Sequence, residues 1–302
     1  MNKESLGTLF AIMTAIVSGI AIPMNKLFIV KLDPTVFTAL RSLIIGIIFL
    51  FLSLWRSNFS FNSFKKVNWK YMLLIALIGG SIAFLLYFNG LKLTTSSRAA
   101  FLHKTLTFYV VVFSVLFLKE KISKTHWIAL TAMLFGILLI YFTQIKSTEF
   151  WQNPSLGDLL VIMATILWAG ENIIAKKVLR EGETNFVVSF SRMFFGGLIL
   201  FGVLVLTNKY QTLFNLDIIA WRNIGISTIV LFSYVFFWYW SLKLINASKA
   251  ATFLLLSPII SLGFGYLLFK EPLPLLQLVG SMMIIIGSYM TIKTKSELVT
   301  GI

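Results

Sequence analysis

The stretch GLKLTTSSRAA, residues 90–100, recurs 151 residues later as SLKLINASKAA, residues 241–251. The match joins the end of one apolar run to a short polar break with a basic residue and two alanines. Chance similarity between apolar runs explains shared Leu and Ile, but it does not explain polar and charged matches in one register. Shifts of 150 or 151 residues also align Gly7 with Gly157, Lys26 with Lys176, Arg41 with Arg192, and Lys119-Glu120 with Lys270-Glu271.

The composition places these repeats in a membrane. The chain has 302 residues, of which 58% are hydrophobic and 12% are charged, and a soluble core cannot hold that much apolar surface. A helix needs roughly 20 apolar residues to cross a bilayer. The breaks are short, so we predict a single transmembrane domain over residues 1–302. Ten runs approach the required length: Leu6–Pro23, Val36–Trp55, Tyr71–Leu91, Ala99–Leu118, His126–Phe142, Leu159–Ala175, Phe186–Leu206, Ile224–Leu242, Ala250–Phe269 and Leu273–Ile292.

Each predicted repeat, 5–143 and 156–293, contains five of these runs. Five is odd, so the second repeat enters the membrane upside down relative to the first. Inverted repeats are typical of secondary transporters, whose substrate site lies near the middle of the bilayer between the repeats. The predicted fold class is an all-α integral membrane protein of about ten transmembrane helices in two inverted five-helix repeats.

The formal net charge is +15, and most Lys and Arg residues lie in the breaks between the apolar runs. If the N-terminus is inside the cell, the cytoplasmic breaks carry more of these residues than the outer breaks, as is usual in membrane proteins. We therefore predict a multi-pass protein of the cell membrane with both termini in the cytoplasm. We expect the lipid bilayer and a small-molecule substrate as partners, and no nucleic acid. The sequence does not indicate an oligomeric state.

The chain resembles, over essentially its whole length, the EamA-type members of the drug/metabolite transporter superfamily. The shared features are the five-plus-five arrangement, a Lys-Glu pair closing the fourth and ninth helices, the Arg41/Arg192 pair, and the Leu-Trp-Ala of Leu167–Ala169. The resemblance implies a basket-like bundle whose cavity is lined largely by helices one, three, four, six, eight and nine. It also implies substrates such as amino acids, nucleobases or related metabolites, often exported.

Charge deep in a predicted helix is costly, so each ionisable residue there needs an explanation. Arg41 and Arg192 sit equally deep from opposite sides, and a symmetric pair favours an architectural role over a substrate-specific one. Glu171 has two interpretations. It forms a structural ion pair with Arg192, or it couples transport to protons.

The fourth helix carries His103 and Lys104, whose counterparts in the ninth helix are Leu254 and Leu255. The architecture shared by the repeats therefore does not require them. His103 shares a helical face with Thr107, and a polar stripe in a membrane helix faces a cavity or a partner helix. Lys104 is a candidate for binding a substrate carboxylate or phosphate; the alternative is that its side chain reaches outward to the membrane surface.

Aromatic and amide side chains supply further candidates. Trp and Tyr near a helix end usually form an interfacial belt, which we expect for Trp238 and Trp240, whereas Tyr234 lies deeper. We predict that five residues line the cavity: Tyr87, Asn89, Trp168, Asn172 and Tyr234.

A backbone break falls midway along the ninth helix, at Pro258, and Gly263 follows it. Proline removes one helical hydrogen bond and typically kinks a helix, so we predict a kink that lets the half-helix act as a gate. Such kinks also occur in membrane proteins without gates.

Other functional classes fit the sequence less well. The two histidines, His103 and His126, lie on different helices, and there is no cysteine, so we expect no metal site and no cofactor. No paired deep carboxylates point to catalysis, and no glycine-rich phosphate loop points to ATP. We predict a secondary active transporter of small polar metabolites, such as amino acids, in the direction of export. A channel, or a membrane sensor or scaffold without transport, is the alternative.

Overall fold

The computed structural model describes residues 2–29, 32–58, 62–65, 67–142, 155–269 and 272–296. In that part of the chain, ten helices are long and apolar enough to cross a membrane, which confirms the predicted fold class. We number them α1 (Lys3–Phe28), α2 (Pro34–Arg56), α3 (Trp69–Leu93), α4 (Ser96–Leu118), α5 (Lys124–Phe142), α6 (Leu156–Arg180), α7 (Asn185–Leu206), α8 (Ile218–Leu244), α9 (Ala247–Phe253, Leu254–Leu256 and Ser257–Phe269 in succession) and α10 (Leu275–Lys293).

Side-chain caps set several of the helix starts. Asp33 accepts hydrogen bonds from the backbone amides of Thr35 and Val36, and Pro34 occupies the first position of α2, where a proline is tolerated. Ser155 and Asp158 form a capping box at the start of α6. These caps satisfy amides that have no partner within the helix, so they fix where each apolar run begins.

The packing follows the repeat. α5 packs on α10 and α2 on α7, which are each other's counterparts; the contact of α1 with α8 mirrors that of α6 with α3. The Ser296 backbone amide donates to Glu4, so the two ends of the described chain meet on one side of the bundle. We call that side the terminal face and the other side the distal face.

Two lysines clamp helix ends at equivalent positions, Lys26 half-buried and Lys176 buried. Lys26 Nζ in α1 donates to the carbonyl oxygens of Leu91 (2.5 Å) and Thr94 (2.7 Å) at the end of α3. Lys176 Nζ in α6 donates to those of Leu242 (2.5 Å) and Ile245 (2.7 Å) at the end of α8. A cation there satisfies carbonyls that no longer have a helical partner. The matching clamps place the two repeats in the same internal geometry.

Close helix crossings bring α3 and α7 together. A Cβ atom at Gly80 would lie 2.0 Å from the Arg192 carbonyl oxygen, and one at Gly196 would lie 2.6 Å from the Gly80 carbonyl. Both helices contain a π-helical segment here, over Ala76–Ile82 and Ser191–Phe195. Such segments recur at functional sites, because one extra residue per turn re-aims the side chains that follow. Here the crossing sets the position of Arg192.

The ninth helix changes its helical form beside Pro258, where the sequence predicts a kink. α9 passes through one turn of 3-10 helix, Leu254–Leu256, just before Pro258. Pro258 has no amide hydrogen to donate to the Leu254 carbonyl, and the Ser257 hydroxyl donates to it instead (2.8 Å). A Cβ at Gly263 would meet nothing within 4 Å, so packing does not require glycine there. Gating by this segment stays a prediction.

Candidate functional site: a central cavity between the repeats

A cavity of about 80 Å³ lies between the repeats. Drug-sized pockets measure roughly 300–1,000 Å³, so this cavity has the size for a small solute. Seven helices line it, α1 to α4 and α6 to α8. The lining residues are Ser18, Ala21, Ile22, Asn25, Arg41, Phe84, Tyr87, Phe88, His103, Leu106, Trp168, Asn172, Arg192, Val230, Leu231, Tyr234 and Trp238.

The lining agrees only in part with what the family resemblance implied. Helices one, three, four, six and eight contribute as expected, but none of the α9 side chains that the structure describes belongs to the lining. α2 and α7 contribute in its place, each through one arginine, Arg41 and Arg192. Of the candidates named from sequence, seven line the cavity: Arg41, Tyr87, His103, Trp168, Asn172, Arg192 and Tyr234.

One wall of the cavity is aromatic. The rings of Tyr87, His103 and Trp168 lie with their centroids 5.1 to 5.7 Å apart. Trp168 Nε1 donates to the Gly79 carbonyl oxygen (3.0 Å), which fixes the indole. The Tyr87 hydroxyl and His103 Nδ1 are buried without a hydrogen-bond partner among the residues that the structure describes. Buried polar atoms normally have partners, so these two are available to a solute.

Trp238 belongs to this site, not to an interfacial belt as expected from its place near a helix end. It is 1% exposed, because α8 continues past it to Leu244 and its ring faces the interior. Its Nε1 donates to Asn172 Oδ1 (2.8 Å), and Tyr234 stacks on it with ring centroids 6.4 Å apart. The pair Trp238–Asn172 joins α8 to α6 across the cavity.

Arg192 has a counter-charge. Its Nη1 lies 3.7 Å from Glu171 Oε2 and 3.4 Å from the Tyr239 hydroxyl, which donates to Glu171 Oε1 (2.5 Å). Glu171 is 0% exposed and does not line the cavity. Its carboxylate packs on Gly79, where a Cβ would lie 2.3 Å from Glu171 Cγ. Of the two interpretations of Glu171, this geometry favours the structural ion pair, since a neighbouring cation stabilises the ionised carboxylate.

Arg41 has none. It is 1% exposed, and in the described part of the chain no carboxylate oxygen lies within 4 Å of its side-chain nitrogens. Its guanidinium carbon lies over Phe37 (4.5 Å) and Phe88 (4.4 Å), and Nη1 donates to Ser227 Oγ (2.8 Å). Ser227 Oγ in turn donates to Asn25 Oδ1 (2.7 Å). Cation–π contacts and one neutral hydroxyl hold the charge in place without neutralising it.

The other predicted residues lie away from the cavity. Lys104 is 3% exposed and donates to Ser257 Oγ, and Thr107 Oγ1 donates to the Ala251 carbonyl oxygen (3.0 Å). Both therefore face α9, one of the two alternatives for the polar stripe. Lys104 does not reach outward to the surface either. Asn89 Nδ2 donates to the Leu85 carbonyl oxygen of its own helix (2.7 Å).

The arrangement of cavity and repeats can be compared with known proteins. The model of the EamA-like transporter family matches the chain twice, over residues 5–142 and 155–293. The chain belongs to this family. The two matches fall on the two halves in which the sequence repeat was recognised.

Several curated relatives carry the name of a transporter. The chain is 26% identical to the uncharacterized transporter YoaV of Bacillus subtilis, over 90% of this chain and 91% of that protein. It is 25% identical to protein LicB of Haemophilus influenzae, over 84% and 83%. A solved crystal structure superposes with a TM-score of 0.75 at 15% identity, over 95% and 97% of the two chains, and this likeness concerns the fold alone.

As the cavity of an EamA-like transporter, the site offers a particular chemistry. Its aromatic wall can stack on a small solute, and its arginines and amides supply hydrogen-bond donors. In the described ranges, no group of three or more His, Asp or Glu residues could hold a metal ion. Among the residues that the sequence did not predict, Asn25 and Trp238 line the cavity and Ser227 accepts a hydrogen bond from Arg41. They are ordinary polar or aromatic residues in apolar helices, so only their contacts across helices distinguish them.

Proposed function

We propose that this EamA-like transporter is a secondary active transporter of small polar metabolites, amino acids or related compounds, working by alternating access in the direction of export. The observation that carries the proposal is the cavity, which is lined by side chains from both repeats. A site shared by two inverted repeats can open to either side when one repeat moves against the other. Export is the direction that the family resemblance implies.

Contacts at the two faces support such a movement. On the terminal face, Glu120 accepts hydrogen bonds from the backbone amides of Ala247 (2.8 Å) and Ser248 (3.0 Å), and from Arg180 (2.9 Å). Glu120 follows α4, and Ala247 begins α9, so these bonds join the two repeats. On the distal face, Asp158 at the start of α6 pairs with Arg98 at the start of α4. Charged contacts of this kind can break and re-form between states.

Glu120 belongs to the Lys-Glu pair singled out in the sequence, and its carboxylate is the acceptor for the first amides of α9. An acidic group is stabilised at a helix N-terminus by the free amides there. The equivalent pair, Lys270-Glu271, lies outside the described residues.

Substrate binding by Lys104 and proton coupling by Glu171, which the sequence suggests, are less well supported. The hydrogen bonds of Lys104 and Thr107 to α9 support a role in packing α4 against the interrupted helix. Glu171 and Arg192 form an ion pair in the interior, which supports a structural role over proton coupling. The aromatic wall and Asn172 are the supported substrate contacts. Dependence of flux on a pH gradient remains the test of proton coupling.

Counterflow in liposomes tests the proposal. Purified protein is reconstituted with a high internal concentration of one solute from a panel of amino acids, nucleobases and related metabolites, and uptake of the labelled solute is followed. We expect saturable counterflow for at least one solute. Trp168→Ala removes part of the aromatic wall and should weaken it, whereas Trp127→Ala, at an exposed position on α5, should not. Non-saturable flux would indicate a channel, and no flux for any solute would indicate a sensor or scaffold.

The orientation is tested separately. Reporter fusions at both ends of the chain in the cell membrane should report cytoplasmic termini, and labelled solute should leave preloaded cells faster when the protein is present. An external reporter at either end would reverse the assigned orientation.

A further inference from the structure

The two arginine sites are counterparts, but only one of them holds a carboxylate. The shift of 151 residues aligns Arg41 with Arg192 and Phe88 with Tyr239, and each aromatic ring lies near its own arginine. The shift of 150 residues that relates α1 to α6 aligns Glu171 with Ala21. Ala21 lines the cavity, as Arg41 does. Repeat one therefore presents a buried guanidinium to open space at the place where repeat two supplies a carboxylate.

The hydrogen bonds around Arg41 leave hydrogen-bond donors for that space. Ser227 Oγ accepts from Arg41, so its single hydrogen goes to Asn25 Oδ1. With its oxygen taken, the Asn25 amide offers its NH₂ group, and Asn25 lines the cavity. Arg41 Nε is buried without a hydrogen-bond partner. Two kinds of donor and one uncompensated positive charge are the complement of an anion.

We propose that the transported solute is a monocarboxylate, and that Arg41 and Asn25 bind its carboxylate at the position equivalent to the carboxylate of Glu171. The claim that this solute is transported rests on the proposed function, whereas its binding can be tested alone. One guanidinium balances one negative charge, which favours a monocarboxylate over a dianionic phosphate ester. The aromatic wall of Tyr87, His103 and Trp168 then faces the rest of the solute. Arg41, expected to be architectural, becomes the substrate-binding arginine.

The repeat also supplies the design of the test. Glu171 fits because Gly79 leaves room for it, and the counterpart of Gly79 is Val230, which also lines the cavity. The double variant Ala21→Glu/Val230→Gly transplants the carboxylate of repeat two into repeat one, where it can pair with Arg41 and occupy the proposed site. The matched control, Ala21→Gln/Val230→Gly, has the same shape and no charge.

The experiment is a thermal-shift titration of the purified full chain in detergent. The probes are small α-amino acids, 2-hydroxy acids and 2-oxo acids, each tested beside its neutral amide. A solute that binds the native state raises the melting temperature, and the rise grows with the logarithm of the ratio of its concentration to its Kd. We expect one or more acids to stabilise the native protein and their amides to fail. The Glu variant should bind the acid roughly 30-fold more weakly than the Gln control, or worse, because its site is already filled.

A second readout needs no ligand. Without solute, the Glu variant should melt at a higher temperature than the Gln control, because its new carboxylate pairs with Arg41. If the Glu variant does not give monodisperse protein, Arg41→Gln in the same titration decides: the preference for acid over amide should disappear. The proposal is overturned if no acid in the panel stabilises the protein, if amides or amines bind as tightly as acids, or if the Glu variant and the Gln control bind alike.

The outcome is separable from that of the proposed function. A protein that moves amides or amines through liposomes is still a transporter, but Arg41 is then not its carboxylate site. A protein that binds acids through Arg41 and moves none of them keeps the site and loses the transport.

Discussion

Arg41 and Arg192 occupy equivalent positions, each seven residues into its helix, or about 10 Å along the axis, on α2 and α7. Around Arg192, the fold supplies Glu171 and Tyr239; around Arg41, it supplies two phenylalanine rings and a hydroxyl. The backbone frame is shared, as the lysine clamps show, so the difference lies in a few side chains. The repeats therefore share their architecture, and the proposed carboxylate site lies where their side chains differ.

The largest loss of stability should come from breaking the ion pair between Glu171 and Arg192. Glu171→Gln leaves the buried Arg192 without its counter-charge, and breaking a buried ion pair in this way costs about 3–5 kcal/mol. Arg41→Gln removes a charge that has no partner to strand, so it should cost clearly less. Unfolding of both variants in detergent, followed by a tryptophan or circular-dichroism signal, measures the difference. Equal losses of stability would mean that the two arginines are held alike and would remove the contrast.

The double variant Glu171→Gln/Arg192→Gln sharpens that result. Removing both partners leaves no unpaired charge, so part of the stability lost in Glu171→Gln should return. No recovery would show that the carboxylate acts through Tyr239 or packing instead of through Arg192.

The lysine clamps are alike in the two repeats, so removing either lysine should cost the same stability, and less than breaking the ion pair. Lys26→Met and Lys176→Met each remove a cation that caps a helix end through two carbonyl oxygens. Hydrogen bonds to charged groups contribute about 1.5–3 kcal/mol, and both variants should lose stability within that range. A markedly larger loss at one of the two lysines would contradict the equivalence of the repeats.

We expect the smallest loss of stability from removing the Tyr239 hydroxyl, a group that the Arg192 site has and the Arg41 site lacks. Tyr239→Phe places in repeat two the residue that repeat one has at Phe88, and it removes one hydrogen bond to Glu171. We expect a loss of about 1.5 kcal/mol, at the low end of the range for a hydrogen bond to a charged group, because Arg192 still pairs with the carboxylate. Tyr87→Phe is the matched control: its hydroxyl has no partner, so its removal should not destabilise the protein. A loss in the control equal to that in Tyr239→Phe would contradict the assigned contacts.

Much of the fold could be predicted from sequence, because membrane helices need long apolar runs and the repeat preserves polar residues in register. The site was harder. His103 and Thr107 share one helical face, yet His103 lines the cavity and Thr107 reaches α9, since the boundary between cavity and partner helix falls between them. Helical periodicity gives the direction of a side chain, but not which neighbour lies there. For the same reason, the sequence makes Lys104 a candidate substrate ligand, whereas its side chain faces α9 in the structure.

Arg41 shows the reverse case. A symmetric arginine pair suggests architecture, and its asymmetry lies in Ala21 and Glu171, which are counterparts beside the two arginines in the structure. The sequence alignment contains that pair, but an alanine opposite a glutamate has no meaning until both are known to lie beside an arginine.

The most direct test of alternating access uses a thiol in the cavity. The chain has no cysteine, so Ala21→Cys carries the only thiol, and Ala129→Cys, buried where α5 packs on α10, is the control. A membrane-impermeant thiol reagent is applied to right-side-out and to inside-out vesicles, with and without the solute found by counterflow. We predict that Ala21→Cys reacts from both sides, that solute slows both reactions because it occupies the cavity beside residue 21, and that Ala129→Cys stays unreactive. Reaction from one side only would contradict alternating access between the repeats, and rates that the solute leaves unchanged would contradict its binding in this cavity.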